Sequence, residues 1–254
     1  MCNGENLRRH ATRVSLLAVL AAGIVLGAGI ASTAYAEVVF DSAGFESPLY
    51  SEGGLEGQNG WVYAPTGVPG NTAEIQGGEA LGSQAVEVNR AARSDDRFFV
   101  PTSITPSAAQ PYVDISWDML VEQTSGADGT FGPYFAVEAV DFAGEVTGTL
   151  GSLGVDASTG DVLYQIEDTG FLSETGELVA FGAWNSFMMR LDYVAEQYTI
   201  FLNGSELLTT GFVDRARDLD NLSDAPIAAL SAAGDPDSQS LTGRAYFDNY
   251  QIAV

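Results

Sequence analysis

Between residues 37 and 254, apolar positions come in short runs that alternate with polar ones at every second residue, and Gly, Asn, Asp and Pro fall between the runs. The clearest run covers residues 112–120, where Val113, Ile115, Trp117 and Met119 alternate with Asp114, Ser116 and Asp118. A period of two places the four apolar side chains on one face of a strand and the polar ones on the other. Residues 186–194 and 197–203 read the same way, and Asn203-Gly204 favours a type I′ hairpin turn into a strand at 206–210. Further strands are predicted at 38–40, 85–89, 97–100, 134–140, 145–150, 162–167 and 245–252. Helical spacing is scarce, with only residues 213–230 offering a short helix or turn. Many short strands separated by turns predict an all-β fold, two antiparallel sheets packed face to face as a jelly-roll sandwich, with a closed barrel as the alternative.

The first 36 residues break this pattern. Arg8, Arg9 and Arg13 precede an apolar run from Val14 to Ala31, and Ala34-Tyr35-Ala36 follows it. That order is the pattern of a secretory signal peptide with a small-x-small cleavage site. The run is long enough to serve as an uncleaved anchor, but the small-residue site directly after it favours cleavage, leaving no membrane span. The residues after Arg8-Arg9 lack the apolar character of a twin-arginine signal, so the general export route is expected. Cys2 precedes the apolar run, which argues against a lipid anchor. Residues 37–254 are then one secreted or periplasmic domain that stops at Val254, directly after its last predicted strand and with no sorting tail, so release, or retention by a partner, is the expectation.

Removing the signal peptide takes with it Cys2 and His10, the one Cys and the one His of the chain, and all ten basic residues are Arg. Ser-His-Asp and Cys-His nucleophilic systems, Schiff-base chemistry and a Walker-type phosphate loop therefore lack an essential side chain. Zinc sites, dominated by His and Cys, are excluded on the same ground. No disulfide can form within residues 37–254, so burial must hold the fold, with a metal as the one available staple.

Seven Arg against 33 acidic residues give the mature segment a net charge of −26. That field repels phosphate backbones, which excludes nucleic acid as a partner, and disfavours anionic lipid surfaces. Solubility, in salty water above all, explains the excess of acid without a specific acidic function.

Several short motifs resemble a known group. Phe45-Glu46-Ser47, Gly57-Gln58-Asn59-Gly60-Trp61, Gly82-Ser83-Gln84-Ala85-Val86 and Tyr246-Phe247-Asp248-Asn249 resemble the concanavalin A-like lectin/glucanase sandwiches of exported bacterial proteins. Trp184 before a strand, and residues 198–204 after it, resemble the laminin-G-like branch. The Phe-Glu near the start and Phe-Asp-Asn near the end are also similar to jelly-roll carbohydrate-binding modules. The resemblance implies a concanavalin A-like fold and a polysaccharide or glycoconjugate partner. It further implies a structural Ca²⁺ shared by Glu46 and Asp248; a capping Glu and a turn-forming Asp are the competing roles. The acidic run 218–224 has carboxylates at alternate positions as calcium loops do, but Leu222 falls where an oxygen is needed, so it reads as a solvated turn.

With His, Cys and Lys gone, an enzyme here is restricted to glycoside hydrolysis or uronate elimination. The glucanases of this superfold carry Glu-x-Asp-x-x-Glu on one strand. The nearest approach is Glu138, Asp141 and Glu145, and the odd spacing of Glu138 and Asp141 points them to opposite faces of an unbroken strand. Arg190, Tyr193 and Tyr198 could line a groove, but the alginate-type lyases of this fold also present a His that is missing here. A non-catalytic, lectin-like binding module needs less: exposed aromatic rings for sugars to stack on, oriented by polar side chains. Trp117 falls on the apolar face of its strand and reads as core. Trp61, after a Gly-rich turn and on one face with Tyr63, is the best candidate platform, with packing as its other role. Trp184 is an edge-packing residue or a second platform, and Arg190 supplies hydrogen bonds. The remaining reading is a structural or adhesive surface protein with no small ligand.

Overall fold

A computed structural model describes residues 36–125, 129–142 and 147–254. The signal-peptide segment up to Tyr35, and Glu145 with the start of the predicted 145–150 strand, lie outside the described residues. The strands are, in chain order, β1 (Val38–Asp41), β2 (Gly53–Gly54), β3 (Val62–Ala64), β4 (Thr72–Gln76), β5 (Ala85–Arg90), β6 (Asp96–Phe99), β7 (Tyr112–Val121) and β8 (Tyr134–Asp141). They continue as β9 (Gly148–Asp156), β10 (Asp161–Gln165), β11 (Leu172–Leu178), β12 (Asn185–Asp192), β13 (Gln197–Leu202), β14 (Ser205–Gly211), β15 (Ile227–Leu230) and β16 (Gly243–Ala253). One helix, α1 (Pro236–Ser240), is capped by the Asp235 carboxylate, which accepts from the Asp237 and Ser238 amides. No helix among the described residues is long and apolar enough to cross a membrane.

All pairings are antiparallel. One sheet runs β14-β13-β12-β7-β16-β5-β4-β2, with β1 also on β16, and the other runs β11-β10-β9-β8-β15-β6-β3. The alternation in β7 does what a period of two requires: Val113, Ile115, Trp117 and Met119 are buried, and Asp114, Ser116 and Asp118 lie on the outer face. In register beside them, Phe187 and Met189 of β12 continue the layer, and the Trp117 and Phe187 rings stack at 5.7 Å with 8° between their planes. Phe135, Val137 and Ala139 of β8, with Leu153 and Val155 of β9, meet this layer from the opposite sheet. Each fully buried Leu, Ile, Val or Phe contributes roughly 1.5–3 kcal/mol, and with no disulfide this layer is what stabilises the sandwich.

The meander β12-β13-β14 forms as the alternation predicts, and Asn203 and Gly204 take the left-handed conformations (φ 50° and 78°) that a type I′ turn requires. Residues 213–230 do not form the helix that the sequence allowed. They give a single 3-10 turn, Arg215–Arg217, and then β15, a strand between β8 and β6 that is buried on both faces. An Ile-Ala-Ala-Leu run covered on both sides has no polar face to alternate with, so periodicity could not identify it.

Candidate functional site

Small residues on the outer face of the seven-stranded sheet open a groove across it. Leu163, Gly154, Ala136, Ala228, Arg97 and Ala64 lie side by side on β10, β9, β8, β15, β6 and β3. Gly154 is required there, because a Cβ would sit 2.2 Å from the Phe135 carbonyl oxygen. Three cavities adjoin along this face. The middle one, of about 520 Å³, is lined by Tyr134, Glu138, Ser152, Gln165 and Phe171 among others. It shares Arg97 and Glu138 with a cavity of about 380 Å³ that holds Phe142, Arg217 and Asp224. On the other side it shares Phe131 and Leu172 with one of about 990 Å³ that contains Asp156, Asp161 and Glu174 and no basic residue. Phe171 is 73% exposed and Phe142 is 54% exposed, so large apolar rings stand free along the groove.

The groove's centre is ionic. Arg97 on β6 reaches over Ala228 of β15, whose methyl leaves the space, and grips Glu138 on β8 with Nε at 2.5 Å from Oε2 and Nη2 at 3.2 Å from Oε1. Asp224, bridged to Val140 at the bulge in β8, lines the same wall. Burial, with the Glu138 charge added to it, pushes the Asp224 carboxyl up to about 7, and Arg97 offsets this only in part. Asp224 Oδ1 is buried without a hydrogen-bond partner. Tyr134 shares a hydrogen bond with Ser152 (3.1 Å), and burial raises its hydroxyl well above the usual range.

The sequence-derived ligand residues do not converge on this groove. Trp61 is 2% exposed: its Nε1 donates to the Tyr50 hydroxyl at 3.1 Å, and its ring packs against Phe40, Phe45 and Tyr250. A ring enclosed on all sides has no face to offer a sugar, which corrects the platform role and leaves the packing one. Tyr63 stacks on Phe98 and donates to Asp96 at 2.7 Å; burial and Asp96 raise its hydroxyl to about 12. Asp96, fully buried, also accepts from the amides of Thr66, Gly70 and Asn71, so Tyr63 belongs to the tie that holds that loop. Arg190 is on the other sheet, paired with Asp114 through Nε (2.7 Å) and Nη2 (2.6 Å) and lying 5.9 Å from the Tyr112 ring centre. Trp184, half-buried, precedes the opposite end of the same strand, so about 20 Å separates it from Arg190 along an extended chain. Tyr198 is buried, whereas Tyr193 is half-buried and lines a different cavity, of about 380 Å³, with Pro111, Val194 and Asp220.

Glu46 and Asp248 flank Gly44, whose Cβ position lies 3.5 Å from Glu46 Cγ and 3.4 Å from Asp248 Oδ1. Both carboxylates hold the turn before β5. Glu46 accepts from the amides of Ser83 (2.5 Å) and Gln84 (3.1 Å) and from the Ser83 hydroxyl, and Asp248 accepts from the Leu81 amide (3.0 Å). Burial raises the Asp248 carboxyl, and nearby Asp118 adds to the effect. In the same stretch Gln84 Oε1 and Ser42 Oγ are buried without partners, and Ala43, Gly44 and Phe45 are all left-handed. Two carboxylates and unpartnered oxygens match a hard cation in donor chemistry. Among the described residues no three His, Cys, Asp or Glu side chains converge as a metal site. The 218–224 run scatters: Leu219 and Leu222 enter the core, Asp224 faces the groove, and the Asp220 and Asn221 amides donate to Asp141. Glu138 and Asp141 part company as expected, one in the groove and one under that turn.

Sequence pattern could have found Glu138 and Arg97 as acid and base on outward positions of β8 and β6. Nothing in it joins them to Asp224, or marks Phe142 and Phe171, which lie just outside strands.

The fold so defined is a concanavalin A-like jelly-roll sandwich. Among solved structures the chain is similar to a conserved carbohydrate esterase from Shiga toxin-encoding bacteriophage phi24B, at 16% identity over 87% of this chain and 99% of that one, with a TM-score of 0.56. It is also similar to the cellulose induced protein Cip1, at 17% identity over 80% of this chain and 96% of the other, with a TM-score of 0.55. A sialidase superposes with a TM-score of 0.53 at 7% identity over 75% of this chain, which spans 16% of the sialidase's length. Identities this low show a shared fold. No protein-family model matches the sequence, and no curated protein sequence matches it either.

Proposed function

We propose that the chain is an exported carbohydrate-binding protein that holds a neutral polysaccharide in the groove on the outer face of the seven-stranded sheet. The observation that carries this reading is the run of three adjoining cavities with free aromatic rings at Phe142 and Phe171 and hydrogen-bonding groups at Gln165, Ser152 and Arg97 between them. Pyranose rings stack on such faces, and their hydroxyls pair with such groups. A strand-crossing groove suits a chain of sugars better than a single one. The largest cavity has Asp156, Asp161 and Glu174 and no basic residue on its wall, and the mature chain carries −26, so polyuronates and sulfated glycans are disfavoured. Names such as carbohydrate esterase and sialidase among the structural neighbours agree with a glycan partner. Retention needs no chemical change in the sugar.

The same reading includes a structural calcium near Glu46 and Asp248, with the Gln84 side-chain oxygen as a further donor. Such an ion would neutralise the buried Asp248 charge and tie the turn before β5 to the first and last strands. The experiment is retention of the protein on immobilised β-1,3-glucan, β-1,4-glucan, xylan, galactan, alginate and polygalacturonate, in calcium and in chelator. Selective retention on a neutral glycan is expected; retention on none of them, or on the acidic ones alone, defeats the proposal.

A further inference from the structure

The outer face of an antiparallel sheet is ordinarily its wet one, yet the middle of this groove carries its own apolar cluster. Tyr134, Ala136 and Leu163 are buried together there, apart from the main core, with Phe131, Leu172 and Leu230 packed against them. The cavity of about 520 Å³ opens over this cluster, walled by Phe131, Tyr134, Phe171, Leu172, Leu230 and Ala232. The Phe131 and Tyr134 ring centres are 6.3 Å apart with 43° between their planes, and Phe171 stands 73% exposed. Most polar groups of the wall hold one another. The Tyr134 and Ser152 hydroxyls share a hydrogen bond. Arg97, the one basic residue among the described residues of the wall, gives Nε and Nη2 to Glu138 and Nη1 to Thr66. Gln165 differs: its Nε2 donates to the Gly170 carbonyl at 2.9 Å, which fixes the amide and leaves Oε1 as an acceptor without a donor among the described residues.

Each of these features selects a property of the occupant. A volume in the range of about 300–1,000 Å³ encloses a drug-sized group, more than an acetyl or methyl substituent fills. Aromatic walls favour a flat ring, which gains from offset or edge contacts beyond the area it buries. A free acceptor beside those walls suits a donor on that ring, and a phenolic hydroxyl is such a donor. With Arg97 neutralised by Glu138 and −26 on residues 37–254, a negatively charged occupant is repelled, which disfavours a free phenolic acid. Esterification removes that charge, and a groove that holds a glycan brings an ester on the glycan to the cavity. We propose that the middle cavity receives a phenolic acyl group esterified to the bound glycan, its ring against Phe131 and Phe171 and its hydroxyl on Gln165 Oε1. This rests on the carbohydrate-binding reading and deepens it, naming the substituent that the neutral glycan carries.

The test measures binding of the full chain to β-1,3-glucan, β-1,4-glucan, xylan and galactan, each bare, lightly esterified with feruloyl groups, and esterified then stripped by mild alkali. Methyl ferulate, its O-methyl ether and free ferulate are the small probes. On a glycan that is retained, the esterified form should bind roughly tenfold more tightly than the bare and stripped forms, the factor that two aromatic contacts supply together. Methyl ferulate should bind, its O-methyl ether severalfold more weakly for want of a donor, and ferulate more weakly still. A233W puts a ring into the cavity from an exposed position and should bring esterified and bare glycan to within roughly twofold of each other. Q165L should erase the preference for methyl ferulate over its ether. Should A233W disturb its loop, Q165L decides. Equal binding of esterified and bare glycan, or an ester advantage that survives both variants, overturns the phenolic site and leaves the glycan groove standing. Retention of no glycan in any form overturns the two readings together, and methyl ferulate that still binds then marks a site for free phenols.

Discussion

The indole Nε1 of Trp61 donates to the Tyr50 hydroxyl at 3.1 Å, and the same hydroxyl accepts from the Asn59 side-chain amide at 3.1 Å. The loop before β3 is thereby pinned to the one before β2, over rings contributed by Phe40, Phe45 and Tyr250. Trp61 is a keystone of an aromatic cluster, and its removal should be felt as lost stability. Trp61→Ala is expected to cost roughly 3–5 kcal/mol, and Trp61→Phe clearly less, because a ring still fills the space. Denaturant unfolding of the two variants checks this. An alanine variant with an unchanged midpoint and lost glycan retention would return Trp61 to the ligand site.

Trp61 also shows what the sequence made legible. Strands with one wet face, β7, β12 and β13 above all, were readable because alternation is itself the record of a half-buried surface. β15, buried on both faces, and β11, a polar Leu-Ser-Glu-Thr-Gly-Glu-Leu edge strand, carry no such record. For an aromatic residue in a Gly-rich turn, local pattern does not say whether the turn folds inward or outward, and at Trp61 it folds inward. The carboxyl pair was hidden for a different reason. Reading acids along one strand correctly separates Glu138 from Asp141, but the partner of Glu138 comes from the approach to β15, and only the order of the sheet brings them together.

Phe171 and Phe142 present open rings beside the groove and contribute little to the core, being 73% and 54% exposed. Phe171→Ala and Phe142→Ala should each weaken retention on the bound glycan by about 0.5–1.5 kcal/mol, a two- to tenfold effect. Thermal stability should stay within about 0.5 kcal/mol of wild type, as for other exposed substitutions. Glycan-column retention and a melting curve on each variant give both numbers. Unchanged retention in both would place the ligand elsewhere.

At Glu46 and Asp248 the question is whether hydrogen bonds to the turn before β5 suffice or an ion completes the site. If calcium binds, its stabilisation grows with concentration, reaching about 2.7 kcal/mol at a hundredfold excess over Kd. The melting temperature should therefore rise between chelator and excess calcium. Asp248→Asn should remove that difference, since it takes away a charged ligand at a position that is 1% exposed. Equal melting temperatures of the wild-type protein in the two buffers would show that the carboxylates serve the turn alone.

Asp224 makes a pH prediction whose sign is fixed by the direction of its shift. The folded state raises this carboxyl from 3.8 to about 7, so between those values the folded protein holds a proton that the unfolded chain has released. Stability from this group is therefore full at pH values below about 4, declines as pH rises, and levels off above about 7. The full excursion is on the order of 4 kcal/mol at most, from about 1.4 kcal/mol per pKa unit. Asp224→Asn keeps the shape and cannot ionise, so it should match wild type near pH 4 and be the more stable protein at pH 8. Urea unfolding of both proteins from pH 4 to 8 measures the difference directly. A stability difference that stays constant across that range would mean that Asp224 is not the buried, proton-holding carboxyl that the groove's geometry makes it.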